Sequence, residues 1–66
     1  MLSKQLENKF NEIILERING NPDRLRHYVR NCSKKNLIKF LNHIDSNYSL
    51  LKSDLINSIN YALDID

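Results

Sequence analysis

The only glycine and the only proline of this 66-residue chain stand two positions apart, in Asn19-Gly20-Asn21-Pro22. Both residues break regular structure, and everything after Pro22 is free of either one. Glycine takes a left-handed conformation at little cost, so Asn19-Gly20 is suited to end a helix. Proline at a first helical position needs no amide hydrogen, so Asn21-Pro22 is suited to begin one. The segment therefore predicts a stop and an immediate restart.

The apolar residues on both sides keep helical steps. Leu6, Phe10, Ile13, Ile14 and Ile18 recur at three- and four-residue intervals and fall on one face. Lys4, Glu7, Asn8, Asn11, Glu12 and Glu16 take the other face, and Leu15 falls off the stripe. Ser3 is a candidate N-cap. After Pro22, Leu25, Tyr28, Val29 and Cys32 continue the spacing, with Asn21 as cap and Asp23 at the positive end of the helix dipole. Ser33 interrupts and reads as the cap of a third helix with Leu37, Ile38, Phe40, Leu41 and Ile44 on its apolar face. Asp45-Ser46-Asn47 has turn composition. Beyond it, Ser49 caps a last helix carrying Leu51, Leu55, Ile59 and Ala62 on one stripe and Ile56, Ile59 and Leu63 on an overlapping one. There is no repeat, linker or sustained strand period. The expected fold is all-α, a compact bundle of four helices (about 3–19, 22–31, 34–45 and 49–63) forming a single domain over 1–66.

A chain this short buries only roughly 60% of the surface its unfolded form exposes, so small domains usually carry a staple such as a disulfide, a metal or a partner subunit. Cys32 is the only cysteine, which excludes a disulfide within the chain and suits a reducing compartment. His27, Cys32 and His43 are one ligand short of a structural zinc site and match no zinc spacing, so neither metal nor cofactor is expected. Self-association remains. The fourth helix is apolar over much of its circumference and needs neighbours on more than one side. Leu51, Leu55, Ile56, Ile59 and Leu63 are the expected surface of a homodimer, twofold pairs being the commonest oligomers.

Charge is distributed unevenly. Six of the ten Lys and Arg residues, Arg24, Arg26, Arg30, Lys34, Lys35 and Lys39, fall between Asp23 and Asp45, where there is no Asp or Glu. The net charge of +2 thus conceals flanks of −1 and −3 around a centre of +6. These residues lie on two consecutive helices, with Lys34 and Lys35 in a first turn, where the dipole disfavours cations. Three readings compete: an acidic protein surface as partner, nucleic-acid phosphates as partner, and a plain solvated face. The helix–joint–helix outline is that of a helix-turn-helix, but its joint is Asn31-Cys32-Ser33, without the usual glycine. The third helix, moreover, offers no Arg or Gln to base edges. An acidic protein partner is therefore the leading expectation and DNA or RNA the alternative.

No enzymatic constellation is present. His27 and Cys32 do not converge on a helix, and Cys32 continues the apolar stripe, which fits an inert thiol. His43, near a helix end, reads as a stabilising contact. Glu12 and Glu16 share a solvent-facing side, where Glu16 suits ion pairing with Arg17 or with the second helix, and acid–base work is not expected of them. Phosphate loops and metalloprotease motifs are absent, so an enzyme is not expected. No apolar run approaches the ~20 residues of a membrane span, and the N-terminus MLSKQLENKF lacks a signal-peptide core, so a cytoplasmic location and no membrane partner are expected. Ten Asn, eight Ile and six Lys suggest an AT-rich coding sequence, as in many bacteria, phages and plasmids and in AT-rich eukaryotes.

Overall fold

A computed structural model describes residues 3–64. Four helices follow in order: α1 (Lys4–Ile18), α2 (Asp23–Asn31), α3 (Lys34–Asn47) and α4 (Lys52–Asp64), with a 3₁₀ turn at Ser49–Leu51 before the last. No strand occurs among the described residues. The architecture is the all-α four-helix bundle that the spacing predicts.

Side-chain and backbone caps set the boundaries. Ser3 Oγ accepts from the Leu6 amide at 3.2 Å and opens α1. At its end, Gly20 takes φ +97°. The Gly20 amide donates to the Arg17 carbonyl at 3.1 Å and the Asn21 amide to the Glu16 carbonyl at 2.9 Å. This pair of bonds is the Schellman closure, which satisfies carbonyls that a helix end leaves unpaired. Asn21 Oδ1 then accepts from the Asp23 amide at 3.2 Å, and the Pro22 carbonyl takes the Arg26 amide at 3.0 Å, so α2 starts at once. Ser33 Oγ accepts from the Asn36 amide at 3.2 Å and opens α3. Cys32 and Ser33, both extended, are the whole joint between α2 and α3.

Two boundaries differ from the expectation. Asp45, Ser46 and Asn47 form the last turn of α3 instead of a loop. Their turn propensity is overridden because Asn47 Nδ2 donates to the His43 carbonyl at 3.2 Å and the Tyr48 amide to the Ile44 carbonyl at 2.8 Å. Ser49 does not cap α4: it begins the 3₁₀ turn, closed by the Leu51 amide on the Tyr48 carbonyl at 2.9 Å, and α4 starts at Lys52.

Phe10 lies at the centre of the core, with ring centroids 4.9 Å from Phe40, 5.8 Å from Tyr28 and 5.7 Å from His43. These contacts tie α1 to α2 and α3. Ile13, Ile14, Leu25, Val29 and Ile44 fill the space around them, and Leu55, Ile59 and Ala62 close it from α4. Leu55 and Ile59 are therefore corrected as self-association residues: each is 2% exposed and is used within the chain. Leu51 and Ile56 are half-buried, and Leu63 is exposed. Ile18, expected on the buried stripe, is the last residue of α1 and is 46% exposed. No described helix is long and apolar enough to cross a membrane.

Candidate interaction site at the joint of the second and third helices

The bundle sorts the six central cations into two groups. Arg24 and Arg26 face neighbouring helices. Arg24 reaches α1, where Nη1 donates to Glu16 Oε2 at 2.5 Å and Nη2 to Glu12 Oε2 at 3.2 Å. Hydrogen bonding to Glu16, with the nearby charges adding to it, holds the Arg24 guanidinium above its ordinary pKa. The i, i+4 carboxylates of α1 are thus the two arms of a clamp on one arginine. Arg26 lies over the Tyr61 ring of α4, with its guanidinium carbon 5.1 Å from the centroid, a cation–π geometry.

Arg30, Lys34, Lys35 and Lys39 form the other group. None of them makes an ion pair among the described residues. Arg30 is in the last turn of α2, and Lys34 and Lys35 are in the first turn of α3, on either side of the two-residue joint. Lys39 follows Lys35 by four residues and shares its face of α3. Arg30, Lys34 and Lys35 are exposed and Lys39 is half-buried. The first turn of α3 contains no acid to balance these charges.

Beside the joint lies a pocket of about 350 Å³ lined by Lys9, His27, Tyr28, Asn31, Cys32, Ser33 and Asn36. Lys9 comes from α1, with Nζ 5.0 Å from the Tyr28 ring centroid. Asn31 Nδ2 donates to the His27 carbonyl at 2.8 Å and so closes the last turn of α2. Burial pushes the Cys32 thiol above its ordinary pKa, with the Lys9 charge partly opposing it. Cys32 is half-buried, its Sγ 3.8 Å from the Val29 carbonyl oxygen, and is thus more exposed than the buried thiol the stripe implied. Burial also raises the Tyr28 hydroxyl, and the neighbouring Cys32 adds to the effect. That hydroxyl is buried and has no hydrogen-bond partner among the described residues.

None of the six cations expected to bind a partner lines this pocket, and its lysine, Lys9, was not among the residues singled out from the sequence. It sits on the outer face of α1, far along the chain from the basic stretch, and only the packing of α1 on α2 brings it to Tyr28. A second groove, of about 380 Å³, lies between the α1–α2 loop and α4. Its charged groups are Arg17, Arg26 and Asp54, and its cations are already engaged, Arg17 Nε with Ser58 Oγ at 2.8 Å and Arg26 with Tyr61.

His43, expected as a contact near a helix end, is buried within α3 at 6% exposure. Its ring bonds Asn11 Oδ1 at 2.8 Å and Asn47 Nδ2 at 3.2 Å. Among the described residues, no three His, Cys, Asp or Glu side chains gather into a metal-binding group. Comparison with known family models, curated proteins and solved structures found no match.

Proposed function

We propose that this protein is a small regulatory or adaptor protein that docks on an acidic surface of another protein through the α2–α3 joint. Arg30, Lys34, Lys35 and Lys39 carry the contact. The observation behind this reading is the contrast within one acid-free stretch. Arg24 is clamped by two carboxylates, whereas these four cations have no acidic partner among the described residues. Lys34 and Lys35 also sit at a helix N-terminus, where cations are locally unfavourable, and a partner's acids relieve that repulsion. The action is steric and electrostatic, by blocking or recruiting the partner, and involves no chemical step. Long-range attraction speeds encounter and weakens with salt.

The test is a pair of titrations, each at two salt concentrations, with an acidic peptide and with duplex DNA or RNA. Peptide binding lost on combining Arg30→Ser, Lys34→Ser and Lys35→Ser supports the reading. Tight nucleic-acid binding with a steep salt slope moves the same residues to the alternative function, phosphate neutralisation. A homodimer is a second reading, favoured by Leu50, which is 98% exposed, and by Leu63 at 46%. Sedimentation of the isolated chain as a monomer at high concentration rejects it.

A further inference from the structure

We propose that the pocket beside the α2–α3 joint is a carboxylate-binding site that receives one acidic side chain of the docked partner. It rests on the docking reading above for the source of the carboxylate, and on the pocket itself for the chemistry. Lys9 supplies the charge, and the Tyr28 hydroxyl and the Asn36 side chain supply neutral donors.

The Tyr28 hydroxyl is the first support. Tyr28 is only 9% exposed and lines the pocket, yet its oxygen, with less than 1 Å² accessible, has no partner among the described residues. A buried polar group without a partner destabilises a fold, and native proteins keep such groups mostly where function uses them. Phenylalanine would fill the same core position with the same ring. The retained hydroxyl is accounted for by a ligand acceptor that meets it, after a small side-chain adjustment at the rim.

The lining is the second support. It contains one lysine, several neutral donors and no acid, so it favours an anion. It also contains no arginine, the residue best matched to phosphate by its planar fork. One ammonium with neutral donors matches the single charge of a carboxylate. The third support is α3 itself, 14 residues long, whose Ser33–Asn36 end borders the pocket. Ser33 takes the Asn36 amide on its hydroxyl and the Leu37 amide on its carbonyl, and this positive end of the α3 dipole borders the pocket, where an anion is favoured.

The experiment is amide NMR of the full chain titrated with acetate at constant ionic strength, then with inorganic phosphate and with a glutamate-rich peptide. Acetate shifts are expected to concentrate at Tyr28, Cys32, Ser33 and Asn36. Lys9→Gln and Tyr28→Phe are each expected to weaken acetate by about tenfold, the size of one lost charge-assisted contact. Tyr28→Phe should do so while leaving the thermal midpoint unchanged or raised, an outcome that a purely structural role for the hydroxyl does not produce. Lys9 is exposed, so Lys9→Gln keeps the test decisive if the Tyr28 variant folds poorly. Shifts spread evenly over all basic residues, or acetate affinity unchanged in Lys9→Gln, would overturn the site. Phosphate binding more tightly than acetate at the same residues would overturn the assignment to carboxylate. Peptide binding that depends on Lys34 and Lys35 but not on Lys9 or Tyr28 would overturn the pocket and leave the docking reading standing. Acetate bound at the pocket with no peptide binding would support the pocket and overturn the docking reading.

Discussion

Asn11 of α1 is joined to His43 of α3 by a 2.8 Å hydrogen bond between Oδ1 and Nε2. Asn47 Nδ2 donates to the other ring nitrogen at 3.2 Å, so Nε2 carries the hydrogen that Asn11 accepts. The same Asn11 oxygen accepts from the Tyr48 hydroxyl at 2.8 Å. One amide thus satisfies two donors and locks α1 to the end of α3. Asn11→Ala leaves both donors without an acceptor and is expected to cost about 1–3 kcal/mol. Urea denaturation measures it directly. Asn8→Ala, at an exposed position of the same helix, is the control and should stay within ~0.5 kcal/mol.

Gly20 tests the helix stop. At φ +97° its conformation suits glycine alone, yet a Cβ there would meet nothing within 4 Å. Gly20→Ala therefore isolates backbone strain from packing. The expected loss is about 1–2 kcal/mol, read as a lowered urea midpoint with an unchanged slope. A midpoint equal to that of the parent chain would mean that the α1–α2 turn relaxes freely.

Alkaline pH should destabilise the fold. Burial raises Tyr28 above its ordinary 10.0 and Cys32 above its ordinary 9.0. Between the unfolded and folded pKa of each group, the folded chain holds the proton that the unfolded chain has released, so stability falls as pH rises. Stability is complete below pH 9 as far as these two groups are concerned, and is lost as pH climbs through 9 to 10 and beyond. Denaturation midpoints measured across that range check the sign. Tyr28→Phe and Cys32→Ala should each remove part of the slope.

Arg24 should be separable from the docking cations. Its guanidinium is held by Glu12 and Glu16, so Arg24→Gln is expected to leave acidic-peptide affinity within about twofold. Lys34→Glu with Lys35→Glu is expected to weaken the peptide by about tenfold or more at low salt, and by less as salt rises. Fluorescence anisotropy with a labelled peptide compares the two. Equal losses in both variants would mean that simple net charge, not the joint, governs binding.

Much of the fold was legible because its signals are local. Ser3, Asn21 and Ser33 bond amides two or three residues away, and Gly20 closes α1 through its own conformation. Each device acts within one turn of helix, so neighbouring residues suffice to predict it. The end of α3 and the start of α4 were misjudged for the complementary reason. Asp45, Ser46, Asn47 and Ser49 have turn and cap propensities, but Tyr48 is anchored to Asn11 from 37 positions away in the chain. That distant contact fixes the side chain of Tyr48, the residue at which α3 ends.

The site divides along the same line. The sequence by itself determined that six cations occur without an intervening acid and that they lie on two consecutive helices. Only the tertiary structure decided which of them are free. Packing of α2 on α1 and α4 commits Arg24 to Glu12 and Glu16 and sets Arg26 over Tyr61, and burial of Leu55 and Ile59 removes them from any outer surface. The same packing brings Lys9 to Tyr28 and forms the pocket. Charge is a property of composition along the chain, whereas availability depends on which side chains other helices bring within a few ångströms.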